Sequence, residues 1–237
     1  MLGTTPYINR GGQEDIARVW FGKPENALSK SITIPGGYGV LKSGQVMAKI
    51  SESTSRLGMY TPYVNADGAV LAAGIPIGSS TLPGAAYLTA DAAVSKSLQV
   101  TLQDSYKFAV GDHLAIADYD TYGASGSGLD LGAITAIDRT TYSHIAVITV
   151  TNNASASYTV AAGAAVFIQT TTADPWCKAM GILLGTVDTG TGEDSKGANG
   201  VLVIANAMAY KAMLYNYDGD ALADMSWASE NGDYLVL

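Results

Sequence analysis

The chain has 237 residues and a formal net charge of −8, and these values already exclude several classes of protein. Hydrophobic residues make up 48% and charged residues 14%, which is far from the composition of a disordered chain. The negative charge repels phosphate backbones and anionic headgroups, so we expect no nucleic-acid partner and no membrane partner. The N-terminal residues show neither the basic region nor the apolar stretch of a secretory signal, and we expect synthesis in the cytoplasm.

Residues 1–27 predict an extended N-terminal arm. The segment is mixed in polarity and contains one short apolar cluster, formed by Val19, Trp20 and Phe21. The cluster could anchor the arm on a partner, or it could pack on the chain's own domain. The sequence leaves both alternatives open.

Short strands with tight turns follow the arm. β-branched and apolar residues occur in "SITI", "YGVL", "GQVMAKI" and "LGMYTPYV", and glycines such as Gly37 and Gly44 separate these runs. Pro62 indicates an edge strand or a strand end, because proline has no N–H for a ladder. We expect Lys42 and Lys49 on an outward-facing side.

Residues 79–174 predict a small β-barrel inserted into a host domain. Strand candidates recur about every ten to fifteen residues, and "AITAIDRTTYSHIAVITVT" indicates a strand, a turn and a second strand. The host domain would then be discontinuous and comprise residues 28–78 and 175–237. The predicted fold class is mainly β.

The part of the chain after the insert predicts two strands around a polar glycine-rich loop, then a short helix. Asn199 and Gly200, at the end of the loop, predict a tight turn. Asp220 is predicted to cap the helix, and "YLVL" to form a last strand.

The imidazoles and the single thiol show no catalytic pattern. His113 and His144 have no serine, cysteine or carboxylate at the spacing of a triad, so we interpret both as structural. Cys177 is the one cysteine, which excludes an internal disulfide. We interpret it as a small buried hydrophobe, with a reactive thiol as the alternative.

Two polar loops match ligand-binding motifs only in part. Asp118 and Asp120 match the first positions of a calcium loop, but Leu129 stands where that loop needs a glutamate, which leaves only weak calcium binding as an alternative. The loop "GTGEDSKG" lacks the glycine spacing of a phosphate-binding loop and carries Glu193 and Asp194 where a phosphate would approach. We therefore predict no enzyme activity, no cofactor and no metal site.

Two separate stretches together carry one pattern of glycines and apolar residues. In "SITIPGGYGVLKSGQVMAKISESTSRLGMYTPY" the pattern consists of Gly39, Val40, Leu41, Gly44, Val46, Ala48, Ile50, Tyr60, Pro62 and Tyr63. In "KAMGILLGTVDTGTGEDSKGANGVLVIANAMAYKAML" it consists of Gly181, Ile182, Leu183, Val201, Val203 and Ala207. In this pattern the chain resembles the lambda-type head decoration proteins of tailed bacteriophages.

The resemblance implies a β-tulip-like domain with a short C-terminal helix, here carrying an inserted small β-barrel. It also implies a homotrimer on the outer surface of the virion, at threefold or quasi-threefold positions of the expanded shell. The expected partners are the major capsid protein and further copies of the same chain. A cement protein of this kind stabilises the shell against the pressure of the packed DNA.

The resemblance also gives the arm a role, because an extended peptide can add a strand to an exposed sheet edge. The hypothetical capsid-binding residues are Thr4, Thr5, Pro6, Tyr7 and Ile8, which would pair with a capsid strand, and Val19, Trp20 and Phe21, which would anchor the arm. Deleting residues 1–21 should then leave a folded trimer that no longer binds capsids.

A carbohydrate-binding or host-attachment module is the main alternative. The chain has 14 tyrosines, and tyrosines suit both sugar platforms and protein interfaces. In this alternative the inserted domain would bind a glycan. A capsid-associated hydrolase is a more distant third hypothesis.

Overall fold

The structure, a computed structural model, describes residues 19–20, 27–51, 53–63, 85–117, 129–155, 157–168, 179–205, 207–217, 219–228 and 234–236. Strands account for 46% of these residues, and there are sheets of five and six strands, one of them curled into a half-barrel. The described residues also contain two short helices. The prediction of a mainly β fold is confirmed.

The strands in chain order are β1 (Leu28–Ile34), β2 (Val40–Leu41), β3 (Val46–Lys49), β4 (Tyr60–Pro62), β5 (Ala85–Tyr87), β6 (Ser97–Thr101), β7 (His113–Ala117), β8 (Leu129–Asp138), β9 (Ile145–Val150), β10 (Ala165–Ile168), β11 (Ala179–Leu183), β12 (Val187–Asp188), β13 (Ala198–Ala205), β14 (Ala207–Ala209) and β15 (Tyr234–Val236). The helices are α1 (Leu102–Ser105) and α2 (Gly219–Ala228), and the 3-10 turns are η1 (Gly192–Asp194) and η2 (Lys211–Met213).

The five-stranded sheet has the order β1-β13-β11-β3-β4, and all its pairs are antiparallel. Its strands come from both sides of the predicted insert. Pro62 is the last residue of β4, which lies at the edge of this sheet, as its missing N–H predicted. Two small sheets accompany it: β2 pairs with β12, and β14 pairs in parallel with β15.

The six-stranded sheet has the order β5-β10-β7-β8-β9-β6, and all its strands lie within residues 85–168. The predicted strand, turn and strand are present as β8 and β9, and β9 shows the period of two, with Ala146, Ile148 and Val150 buried. The two edge strands approach each other where Leu88 forms an isolated bridge with Val100 of β6. The division into host and inserted domain stays our interpretation of this topology.

Two of the predicted turn glycines have the backbone conformation that favours glycine. Gly37 has φ +102° and Gly44 has φ +91°. A Cβ on Gly37 would lie 2.6 Å from the carbonyl oxygen of Tyr106, which belongs to the part of the chain that forms the six-stranded sheet. Gly37 thus permits both a tight turn and a close approach of two backbones.

The turn predicted at Asn199 and Gly200 is wrong. Both residues lie inside β13 and pair with β1. The chain reverses earlier, in the loop where Gly190 and Gly192 have positive φ. Gly200 serves packing, since a Cβ there would approach the Leu183 side chain to 3.0 Å.

The predicted C-terminal helix is present as α2. It begins at Gly219, so Asp220 lies in its first turn. Ala221 and Met225 are fully buried and face the core of the five-stranded sheet. The predicted last strand is β15. None of the described helices has the length and apolar character needed to cross a membrane.

Candidate functional site

The structure describes two of the residues predicted to anchor the arm, Val19 and Trp20. Both are buried, with 4% and 3% of their surface exposed. Trp20 forms an isolated antiparallel bridge with Ala209 of β14, and the Tyr210 backbone N–H donates to the Val19 carbonyl oxygen at 2.9 Å. Of the two alternatives left open by the sequence, the structure shows these two residues packed on the chain's own domain.

The other predicted capsid-binding residues lie outside the described residues. They are Thr4, Thr5, Pro6, Tyr7, Ile8 and Phe21. Cys177 and the candidate calcium ligands Asp118 and Asp120 are also outside the described part of the chain.

We call Val19 and Trp20 the arm root. They pack in a core cluster whose other buried members are Val46, Ala48, Tyr63, Ala179, Ile182, Val203, Ala207, Ala209, Ala221 and Met225. The indole N–H of Trp20 is buried and has no hydrogen-bond acceptor among the described residues. A buried tryptophan N–H normally finds a partner, and leaving it without one costs about 1–3 kcal/mol. The arm root is therefore held by its apolar contacts and backbone hydrogen bonds.

Exposed large side chains lie in β14, the strand that holds the arm root, and in the segment directly after it. Met208, Tyr210, Met213 and Tyr215 are 42%, 38%, 45% and 43% exposed, and we call them the arm-root surface. The segment is fixed by its backbone: the Met213 N–H donates to the Tyr210 carbonyl at 2.9 Å, and the Tyr215 N–H to the Gly44 carbonyl at 3.0 Å. These residues carry no signal in the sequence, because their exposure depends on the tertiary fold.

The composition of the arm-root surface suits a contact with another protein. Tyrosine and methionine are enriched at protein interfaces, where they combine apolar area with a polar or adaptable end. The Lys42 ammonium lies 5.6 Å from the centre of the Tyr215 ring, within the range of a cation–π interaction. Lys42 and Lys49 are both exposed, as predicted.

A network of buried charges connects the two large sheets. Arg56, from the loop between β3 and β4, forms an ion pair with Asp112, which directly precedes β7. The Arg56 guanidinium also donates to the Lys107 carbonyl oxygen at 2.9 Å, and the Tyr38 hydroxyl donates to the same oxygen at 3.3 Å. The Lys107 ammonium forms an ion pair of 2.6 Å with Asp104.

Burial and neighbouring charges together set the pKa values of this network. Burial raises the pKa of Tyr38 and lowers the pKa of Lys107, although Asp104 opposes the second shift. Burial alone would lower the pKa of Arg56, but Tyr38 and Asp112 outweigh it and raise that pKa. The arrangement keeps Arg56 charged and Tyr38 neutral, and it serves to join two parts of the fold.

The histidines occupy different environments. His113 is buried, and its Nε2 lies 2.6 Å from Oδ1 of Asp130, which also accepts the Gly132 backbone N–H. The contact between His113 and Asp130 could not be recognised from their spacing in the sequence, because the pairing of β7 with β8 brings the two residues together. His144 is exposed and lines an open groove of about 480 Å³, together with Gln103 and Glu193.

The described residues show the solvated loop expected between β12 and β13. Glu193 and Asp194 lie in η1, and Lys196 forms an exposed ion pair of 3.7 Å with Asp188. No group of three or more histidine, cysteine, aspartate or glutamate residues that could hold a metal is present in the part of the chain the structure describes.

Comparisons of the chain with protein family profiles, curated proteins and solved structures found no match.

Proposed function

We propose that this protein is a head decoration protein of a tailed bacteriophage, which binds the outside of the expanded capsid as a trimer. The observation that carries the proposal is the position of the residues behind the sequence resemblance. Those in β3, β4, β11 and β13 belong to strands of one five-stranded sheet, although the two stretches are separated by the whole six-stranded sheet. We interpret the five-stranded sheet as the decoration domain and the six-stranded sheet as an inserted barrel-like domain.

The arm root and the arm-root surface support this proposal. Val19, which belongs to the arm predicted to contact the capsid, accepts a hydrogen bond from the Tyr210 backbone N–H and so lies beside exposed methionine and tyrosine side chains. Residues 1–18 and the arm-root surface could then act as two parts of one capsid contact. Preferential binding to the expanded shell would stabilise that state by the difference in affinity between the two shell states.

The experiment mixes purified protein with expanded and unexpanded capsids that lack it, and measures co-sedimentation and the temperature of shell rupture. We expect binding to expanded shells alone, with a raised rupture temperature. Absence of binding to both shells would refute the proposal and direct attention to glycan arrays.

Matched variants locate the contact. Because Val19 and Trp20 belong to the core, the arm deletion should end at residue 18 and not at residue 21. Deleting residues 1–18 should leave the fold intact and abolish binding. Tyr215→Ser should weaken binding about tenfold, as expected for loss of a central interface side chain. Tyr142→Ser removes a comparably exposed tyrosine from the turn between β8 and β9, and it is the control expected to bind normally.

A further inference from the structure

The strand β14 has a partner on each side at Ala209. On one side Ala209 pairs in parallel with Val236 of β15, and on the other it forms the antiparallel bridge with Trp20. The arm root and the last strand are therefore joined through β14, a strand only three residues long, Ala207–Ala209.

A strand this short depends on its neighbours. Fixing the backbone of each residue costs about 1–2 kcal/mol, while a hydrogen bond contributes about 0.5–1.5 kcal/mol net. With partners on both sides, β14 makes more bonds for the same ordering cost. Loss of either partner therefore loosens the strand on which the other one docks.

Packing beneath the ladder strengthens this dependence. Ala207 and Ala209 lie in the same core cluster as Val19, Trp20 and the α2 residue Met225. α2 precedes β15 in the chain and packs on β11. The position of β15 is thus tied to the sheet through α2, whereas the indole N–H of Trp20 lacks a partner among the described residues.

We propose that β15 is a clip that keeps the arm root docked on β14, so that the last strand controls release of the N-terminal arm. The clip is a property of the free chain and is measured without capsids. Its use in setting when the arm becomes available to a shell rests on the proposed function.

The sequence provides a reporter for release of the arm root. Trypsin cleaves after arginine, and the Arg18–Val19 bond immediately precedes the docked residues. The next basic residue, Lys23, is followed by proline and resists cleavage. Limited digestion of the full-length protein, with mass spectrometry of the product that begins at Val19, therefore measures how often the arm root opens.

A matched pair of substitutions in β15 tests the clip. Leu235→Pro removes one backbone donor and disfavours the strand, while Leu235→Val keeps the donor and the strand preference. We expect the rate of cleavage at Arg18–Val19 to rise about tenfold in Leu235→Pro, because a tenfold change corresponds to the loss of one or two hydrogen bonds. The rate should remain unchanged in Leu235→Val. Hydrogen exchange of β14 should accelerate in the same variant.

Reciprocal coupling gives a second measurement, because linkage between two sites acts equally in both directions. Trp20→Ala should accelerate hydrogen exchange in β15. Equal cleavage of wild type and Leu235→Pro would overturn the proposal. A general loss of exchange protection in both large sheets would also overturn it, because β15 would then support the whole fold and not the arm root. Neither outcome bears on co-sedimentation of wild-type protein with capsids, which tests the proposed function separately.

Discussion

Removal of the Arg56 guanidinium should destabilise the protein strongly, because it leaves a charge buried without its partner. Asp112 is fully buried, and without Arg56 its Oδ2 would keep the hydrogen bond from the Ala109 backbone N–H, at 2.7 Å. The Lys107 carbonyl would lose its shorter bond and keep the longer one from Tyr38, at 3.3 Å. Breaking a buried ion pair by removing one partner costs about 3–5 kcal/mol.

Thermal unfolding measures this cost. For a chain of this size, about 1 kcal/mol corresponds to a change in Tm of about 2–4 °C, so Arg56→Met should lower Tm by about 6–20 °C. Circular dichroism follows the transition, and urea unfolding of the same variant should give a lower midpoint. Arg56→Met combined with Asp112→Asn should recover part of the loss, because the second change removes the uncompensated charge.

Arg139→Met is the matched control. The Arg139 guanidinium is partly exposed and donates to the Ser105 and Phe108 carbonyl oxygens at 2.8 and 3.2 Å, and no carboxylate pairs with it in the described residues. Its removal should cost about 1–2 kcal/mol. If Arg56→Met is no more destabilising than Arg139→Met, the buried charge of Asp112 contributes nothing measurable and the prediction is wrong.

Three further predictions concern the pH dependence and the packing. Burial raises the pKa of Tyr38, so the native state keeps a proton that the unfolded state loses above about pH 10. Stability should therefore fall as the pH rises beyond that value. Tyr38→Phe should show a smaller fall in alkaline melting curves. Gly37→Ala should lower Tm much more than Gly58→Ala. Both glycines have positive φ, but of the two only Gly37 has a backbone atom within 4 Å of the added Cβ. Equal decreases in Tm would contradict the close approach. Trp20→Phe removes an N–H that has no acceptor among the described residues, so it should cost less than about 1 kcal/mol in urea unfolding. Trp20→Ala also removes the apolar ring and should cost about 3–5 kcal/mol. Similar losses in the two variants would argue against apolar packing as the main contribution.

The strands could be predicted because their signals are local. Buried residues alternate in β9 because successive side chains of a strand point to opposite faces. Pro62 ends β4 because proline has no backbone N–H to donate. Both signals can be read from a few consecutive residues. The Asn199–Gly200 prediction failed because a turn-forming dipeptide can also be a strand segment where a neighbour needs space for its side chain. Tertiary packing against Leu183 overrode the local preference.

The charged network could not be predicted because it joins residues distant in the chain, and the arm-root surface could not because its exposure depends on the tertiary fold. Arg56 and Asp112 are separated by 56 positions, and His113 and Asp130 by 17. Such pairs depend on strand register and on how the two sheets are placed, and composition carries neither. The arm cluster shows the same limit: Val19 and Trp20 are recognisable as apolar anchors, but the sequence does not say which surface they pack on.

The connectivity of the arm root indicates how a load on the arm would pass through the protein. From Trp20 the backbone contacts lead to β14, and the segment after β14 is bonded to Gly44 and Val46 at the start of β3. β3 lies inside the five-stranded sheet, between β11 and β4. The six-stranded sheet lies beside this path and is joined to it by the Arg56 and Asp112 pair. Within the proposed function, the arm and the five-stranded sheet would therefore carry the capsid contact, while the inserted sheet, held in a fixed orientation by buried charges, would be free to present its own surface.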